Sequence, residues 1–323
     1  MIEDFGYVLS GPRHGMALDG DVLFDALTGE ELAWAHLTFS AEDPGPARDW
    51  IARVLPDLDA AIADALTGLS TRPRATPVGQ GAMVILRDTA EEAGDDADDM
   101  PSIRLYLDAR MVVSLSRRPA RSLLAEAARA AKGSCPGTPA GFLHDLTWRI
   151  AENAEEQIEA LAERTDRLED ASDANDANDL HRQEATELRR AVLALRRYLA
   201  PQRDALDALR GLDMVPKAER RRLAEVHDRN IRAVEELDLL TNRLILVREG
   251  IAGAQAERLN RQLYILSIVS VLFLPLGFLT GLMGINLAGM PGADDPLAFW
   301  VFCGLLGAVF GGLALILWRM RWF

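Results

Sequence analysis

An uncharged run that ends on asparagine is where the sequence first invites a chemical reading. Residues 263–283 carry no charge and lead through Gly284 and Ile285 to Asn286. Counting back from Asn286 in helical steps meets Met283, Gly277, Leu274, Ser270, Ser267, Leu263 and Asn260, with Gly281, Thr280 and Leu266 alongside. Hydroxyls, glycines and carboxamides on one side of an apolar helix are more polarity than a lipid-facing surface needs. Neutral oxygens of this kind suit a cation that passes through without being held tightly. Asp294 and Asp295 are the only charges in residues 284–296 and would draw cations to the mouth of such a path.

The other clusters carry less chemistry. Asp173, Asn175, Asp176, Asn178 and Asp179 begin like a calcium loop but lack its glycine at the sixth position and its glutamate at the twelfth, so they read as a solvated turn. Asp95, Asp96, Asp98 and Asp99 read as a solvated loop between strands. The histidines, His14, His36, His144, His181 and His227, are scattered without metal-ligand spacing, and Cys135 and Cys303 stand alone. No nucleophile elbow, dinucleotide fingerprint or phosphate-binding loop is present, so the reading is of a non-enzyme without a cofactor and without a catalytic residue. A formal net charge of -14 argues against nucleic acid as a partner.

The elements that must position the polar stripe follow from periodicity. The run 263–283 has 21 residues, about 30 Å as a helix, and a second uncharged run, 297–318, has 22, so both are long enough to span a bilayer. No Lys or Arg lies between Arg261 and Arg319, which predicts both termini on the cytoplasmic side and 284–296 as an external loop. The first ten residues lack a basic and apolar leader, so no cleaved signal is expected. Residues 1–139 alternate between strand-like runs, at 32–39, 82–87, 103–107 and 111–115, and helical spacing at 47–55, 58–66 and 120–131, which predicts an α/β domain. The Gly- and Pro-rich stretch 133–141 reads as a linker. Beyond it, 140–215 predicts a helical hairpin whose second arm is kinked or broken at Pro201. Residues 216–262 predict a stalk that continues without a break into the first span, and 319–323 form a basic tail.

The order Pro275, Leu276, Phe278, Gly281, Gly284, Asn286, at the end of the first of two C-terminal spans, resembles the CorA superfamily of divalent-cation transporters. Magnesium members carry Gly-Met-Asn, usually after an aromatic residue; this chain has Met283 and Ile285 instead. The turn Gly289-Met290-Pro291-Gly292 and the stretch Leu195-Arg196-Arg197 through Pro201-Gln202-Arg203-Asp204 are similar to the zinc-transporting ZntB-type branch. The resemblance implies a homopentameric funnel in a bacterial inner membrane, with the first span lining an axial pore and the second packed outside it. It implies Zn2+ or another divalent ion as cargo, held hydrated by a ring of Asn286 carboxamides, with Leu263, Leu266 and Leu274 as apolar constrictions. Proton-linked uptake is attributed to that branch, yet neither span holds an acidic or histidine relay. The alternatives are a magnesium or cobalt channel and a membrane-anchored scaffold without a pore.

Overall fold

A computed structural model describes residues 3–40, 42–68, 72–89, 100–173, 179–285 and 295–319. Contacts divide the chain into two units, Met1–Glu249 and Gly250–Phe323.

The first unit is built on a seven-stranded sheet. In chain order its strands are β1 (Glu3–Val8), β2 (Ala17–Leu18), β3 (Ala33–Thr38), β4 (Arg74–Val78), β5 (Gly81–Arg87), β6 (Ser102–Leu107) and β7 (Met111–Ser116). Their spatial order is β2-β1-β3-β7-β6-β5-β4. Only the central pair β3 and β7 is parallel, with Trp34 opposite Val112. Two turns set the neighbouring registers. Gly79, at φ 58°, opens the two-residue β4–β5 turn in the left-handed region that hairpins of this length require. At the β6–β7 turn, Asp108 Oδ1 accepts from the backbone of Arg110 (2.8 Å) and Met111 (3.1 Å).

Alternation along the strands sends side chains to two cores. Trp34, Val84, Leu86, Leu105 and Val112 enter one; Ala33, Ala35, Leu37, Met83, Val113 and Leu115 enter the other. Helices α1 (Gly20–Leu27), α2 (Gly45–Val54) and α3 (Ala60–Thr67) cover the second face. The first face is covered by α4 (Arg121–Ala130), α5 (Pro139–Asp173), α6 (Asp179–Arg210) and the start of α7 (Lys217–Met283). Gly6 is demanded by close approach, since a Cβ there would lie 2.2 Å from Leu23 Cδ1 and 2.7 Å from the Trp34 carbonyl oxygen. The linker reading of 133–141 is shortened, because α5 already begins at Pro139.

Pro201 does not break its helix. α6 runs through it to Arg210. Proline in a helix interior costs about 3 kcal/mol. The turns beyond it bury Ala205, Leu206 and Leu209 against the sheet core, and each leucine contributes roughly 1.5–3 kcal/mol, enough to carry the helix on. The aspartate-rich segment lies between the end of α5 and the start of α6; Asn175, Asp176 and Asn178 lie outside the described residues, as do Asp95, Asp96, Asp98 and Asp99.

Part-buried ion pairs join the helices of this unit, and one arginine is buried without a carboxylate among the described residues. Arg229 of α7 binds Glu155 of α5 (Nε to Oε1 2.8 Å), and Arg243 binds Glu169 (2.9 Å), so two turns of α7 are clamped to α5. Arg104 is wholly buried, with its guanidinium 5.4 Å from the Phe39 ring centre and its Nη2 donating to the Gly68 carbonyl at 3.2 Å. Burial, with Arg117 and Arg87 nearby, lowers its pKa to about 9.

His36 gives the sheet a measurable pH dependence. Its ring lies against Ser114 Oγ (2.8 Å) and Thr38 Oγ1 (3.2 Å). Burial pushes its pKa down from 6.5 to about 3 despite the Ser114 hydrogen bond. The folded state therefore keeps His36 neutral while the unfolded chain protonates it. Its contribution to stability is fully present above pH 6.5 and is lost as pH falls toward 3. At pH 5 the loss is about 2 kcal/mol. His36→Gln is expected to remove that part of the decline between pH 7 and pH 5 in urea unfolding; an equal decline in variant and wild type would refute the assignment.

Candidate functional site

The second unit holds the apolar end of α7 and the helix α8 (Ala298–Arg319). Both helices are long and apolar enough to cross a membrane. Large apolar side chains lie bare along them, among them Leu266, Phe273, Leu274, Phe278, Val301 and Leu315. That much exposed apolar surface needs lipid or further copies of the chain to cover it. Phe299 and Trp300 sit at one end of α8 and Trp318 at the other, about 27 Å apart along the axis, the spacing of two aromatic belts.

On α7, Asn260, Leu263, Ser267, Ser270, Leu274, Gly277 and Gly281 follow one another in steps of three and four and are all exposed in the single chain. Leu266 and Thr280 flank this stripe. Met283 does not belong to it: at 100° per residue it falls about 160° from the centre of the stripe. Ile268, on the far side of the helix from the stripe, is buried.

The hydroxyls of the stripe are satisfied by their own helix. Ser267 Oγ donates to the Leu263 carbonyl (2.8 Å) and Ser270 Oγ to that of Leu266 (2.9 Å). Thr280 Oγ1 donates to the Leu276 carbonyl (3.0 Å) or that of Gly277 (3.1 Å). Each hydroxyl proton is thus used, and what remains for solvent or an ion is an oxygen lone pair. Such a row presents acceptors and is suited to cations.

α7 ends at Met283; the Gly284 N–H donates to the Thr280 carbonyl at 2.9 Å, and Ile285 is half exposed. Asn286 and Asp294 lie outside the described residues. Asp295 has a role the mouth reading missed: its Oδ1 accepts from the Leu297 N–H (2.9 Å) and its carbonyl from that of Ala298 (3.1 Å), so it closes the turn that leads into α8. The signal was present as Asp295-Pro296 ahead of an apolar run.

Among the described residues, no group of three or more His, Cys, Asp or Glu side chains is arranged to hold a metal. A dense charge cluster in the first unit escaped the sequence reading. A cavity of about 510 Å³ is lined by Arg129, His144, Asp145, Arg149 and Arg222 with Trp148. Glu126 is buried beside it and binds Arg129 (3.1 Å) and Arg149 (2.5 Å). Burial pushes the Asp145 carboxyl up, but hydrogen bonds from His144 and Arg129 outweigh it and hold the pKa below the usual carboxylate range. Here the charges satisfy one another.

Residues 29–319 match the family of CorA-like Mg2+ transporter proteins, and the chain belongs to that family. It is 34% identical over 320 residues to the zinc transport protein ZntB of Klebsiella pneumoniae subsp. pneumoniae, covering 98% of this chain and 95% of that one. The structure of the full-length CmaX protein superposes with a TM-score of 0.79 at 32% identity, covering 98% of this chain and 97% of that chain. The CorA magnesium transporter from Methanocaldococcus jannaschii shares the fold, with a TM-score of 0.78 at 16% identity over 99% of this chain and 98% of its own.

Proposed function

We propose that this protein carries divalent cations, zinc foremost, across a bacterial inner membrane through an axial pore lined by α7 in a homopentamer. The observation that carries the reading is the near-full-length similarity to proteins named for zinc transport. The stripe from Asn260 to Gly281 supports the route, because its oxygens and bare backbone face away from the buried side of α7. Gly284, Ile285 and Asn286 form the selectivity motif in this reading. Asn286 meets the ion through its hydration shell, and neutral acceptors let a divalent ion leave again, which a thiolate or imidazole cage would hinder. Asp294 raises the cation concentration at the mouth, while Asp295 divides its charge between that task and the start of α8. Arg258 and Arg261 before the first span, and Arg319 after the second, set both termini on the cytoplasmic side. Proton linkage, where present, has to use residues outside the spans.

The test is zinc entry into liposomes that hold a zinc-sensitive dye, with wild type and Asn286→Ala at equal insertion, in excess magnesium and across a pH gradient. Zinc flux is expected to survive magnesium and to fall about tenfold in the variant, a change of about 1.4 kcal/mol in the barrier. Magnesium flux without zinc flux would make the protein a magnesium carrier, as the family's description suggests. No flux of either ion from verified pentamers would leave a scaffold.

A further inference from the structure

Where α5, α6 and α7 meet beneath the sheet, they close around a cavity of about 10 Å³, room for a single water molecule. Most of its wall is aliphatic, with Ile150 and Val226 as examples, but three polar side chains from three different helices also reach it: Thr147, Gln202 and Asn230. All three are at least nine-tenths buried. Asn230 Oδ1 has no hydrogen-bond partner. An amide oxygen left unpaired at that depth is costly, and buried polar atoms in native proteins find a protein or water partner.

The neighbours define what the missing partner must be. Gln202 Oε1 accepts from the Arg87 N–H at 2.8 Å, so the group Gln202 has left to offer is its amide N–H. Thr147 Oγ1 spends its proton on the Leu143 or His144 carbonyl, each at 2.9 Å, and keeps lone pairs. The cavity therefore needs a ligand that donates to Asn230 Oδ1, and one that can also donate to Thr147 Oγ1 and accept from Gln202 Nε2 matches every polar side chain of its wall. Water does this, and a cation, which cannot accept, does not. We propose that this cavity holds one structural water that links α7 to α5 and α6. Through Gln202 and the Arg87 amide, the link extends to the end of β5.

A structure of the full chain at a resolution that shows ordered solvent is expected to place a water within hydrogen-bond distance of all three atoms. Asn230→Leu supplies an independent readout. In a wet cavity, leucine expels the water and strands the Gln202 N–H, so the thermal midpoint falls by a few degrees. In a dry one, leucine removes an unpaired oxygen and fills a void, so the midpoint rises. Empty density at the site in wild type, or a raised midpoint in Asn230→Leu, would overturn the proposal. The density test stands even where the variant fails to fold.

Discussion

Leu274→Ser is expected to raise resting zinc leak into liposomes about tenfold without moving the unfolding midpoint of the first unit. Leu274 is 75% exposed in the single chain and lies on the stripe between Ser270 and Gly277, so the substitution takes nothing from a packed core. In the pore reading, its copies form a ring of methyl groups around the axis, and a narrow apolar ring resists wetting. Each leucine prefers an apolar surrounding by roughly 1.5–3 kcal/mol. A reduction of about 1.4 kcal/mol in the wetting barrier already gives tenfold in rate. Leu274→Val keeps the ring apolar and should leave the leak unchanged. Leu263 and Leu266 lie two to three turns before it in α7 and supply the comparison. If Leu263→Ser or Leu266→Ser opens the leak and Leu274→Ser does not, the constriction sits at those residues. A leak unaltered in all three variants would sink gating by dewetting.

The stripe was readable because a period of 3.6 is a one-dimensional signal, and an uninterrupted helix keeps its register over many turns. The same holds for α7, whose bounds, Lys217–Met283, follow from a helix-starting Pro216 and an unbroken pattern. Strands β3, β5, β6 and β7 announced themselves by β-branched and alternating runs. β4 did not, because Pro77 disguises it; the edge of the sheet tolerates a residue that cannot donate. β1 was masked by Gly6, whose reason lies in Leu23 and Trp34, residues distant in sequence. At Pro201 the expectation of a kink or a break left the break open, because the sequence shows the local cost and conceals the tertiary gain at Leu206 and Leu209. Met283 entered the stripe as a neighbour of Asn286 and leaves it on angle alone. The cluster around Glu126 was invisible for another reason: it joins α4 to α5 through space, and charged residues at such positions look like any solvated face until distances are known.

That cluster predicts a large stability effect in the first unit. Glu126 has no exposed side-chain surface, and its two oxygens accept from Arg129 Nη1 at 3.1 Å and Arg149 Nε at 2.5 Å, with Cys135 Sγ at 3.4 Å. Removing one partner of a buried pair costs about 3–5 kcal/mol, because the other charge is left without compensation. Arg129 and Arg149 keep 29% and 32% of their side-chain surface, and Arg129 also retains Asp145 at 2.7 Å. Water and Asp145 offset part of the loss, so Glu126→Ala should cost about 3 kcal/mol in urea unfolding, the low end of that range. Glu126→Gln keeps the shape and one acceptor and should cost about half as much, since its amide then faces a donor. A second readout separates loss of charge from loss of packing. Burial, followed by the charge and hydrogen bond of Glu126, pushes the Cys135 thiol up to about 12. Both variants remove the charge, so both should lower the thiol pKa and speed its reaction with a thiol reagent, whereas a purely structural cavity would move only Glu126→Ala. An unfolding midpoint unchanged in Glu126→Ala would mean that Asp145 suffices for Arg129, that water suffices for Arg149, and that the buried carboxylate contributes nothing to the joint between α4 and α5.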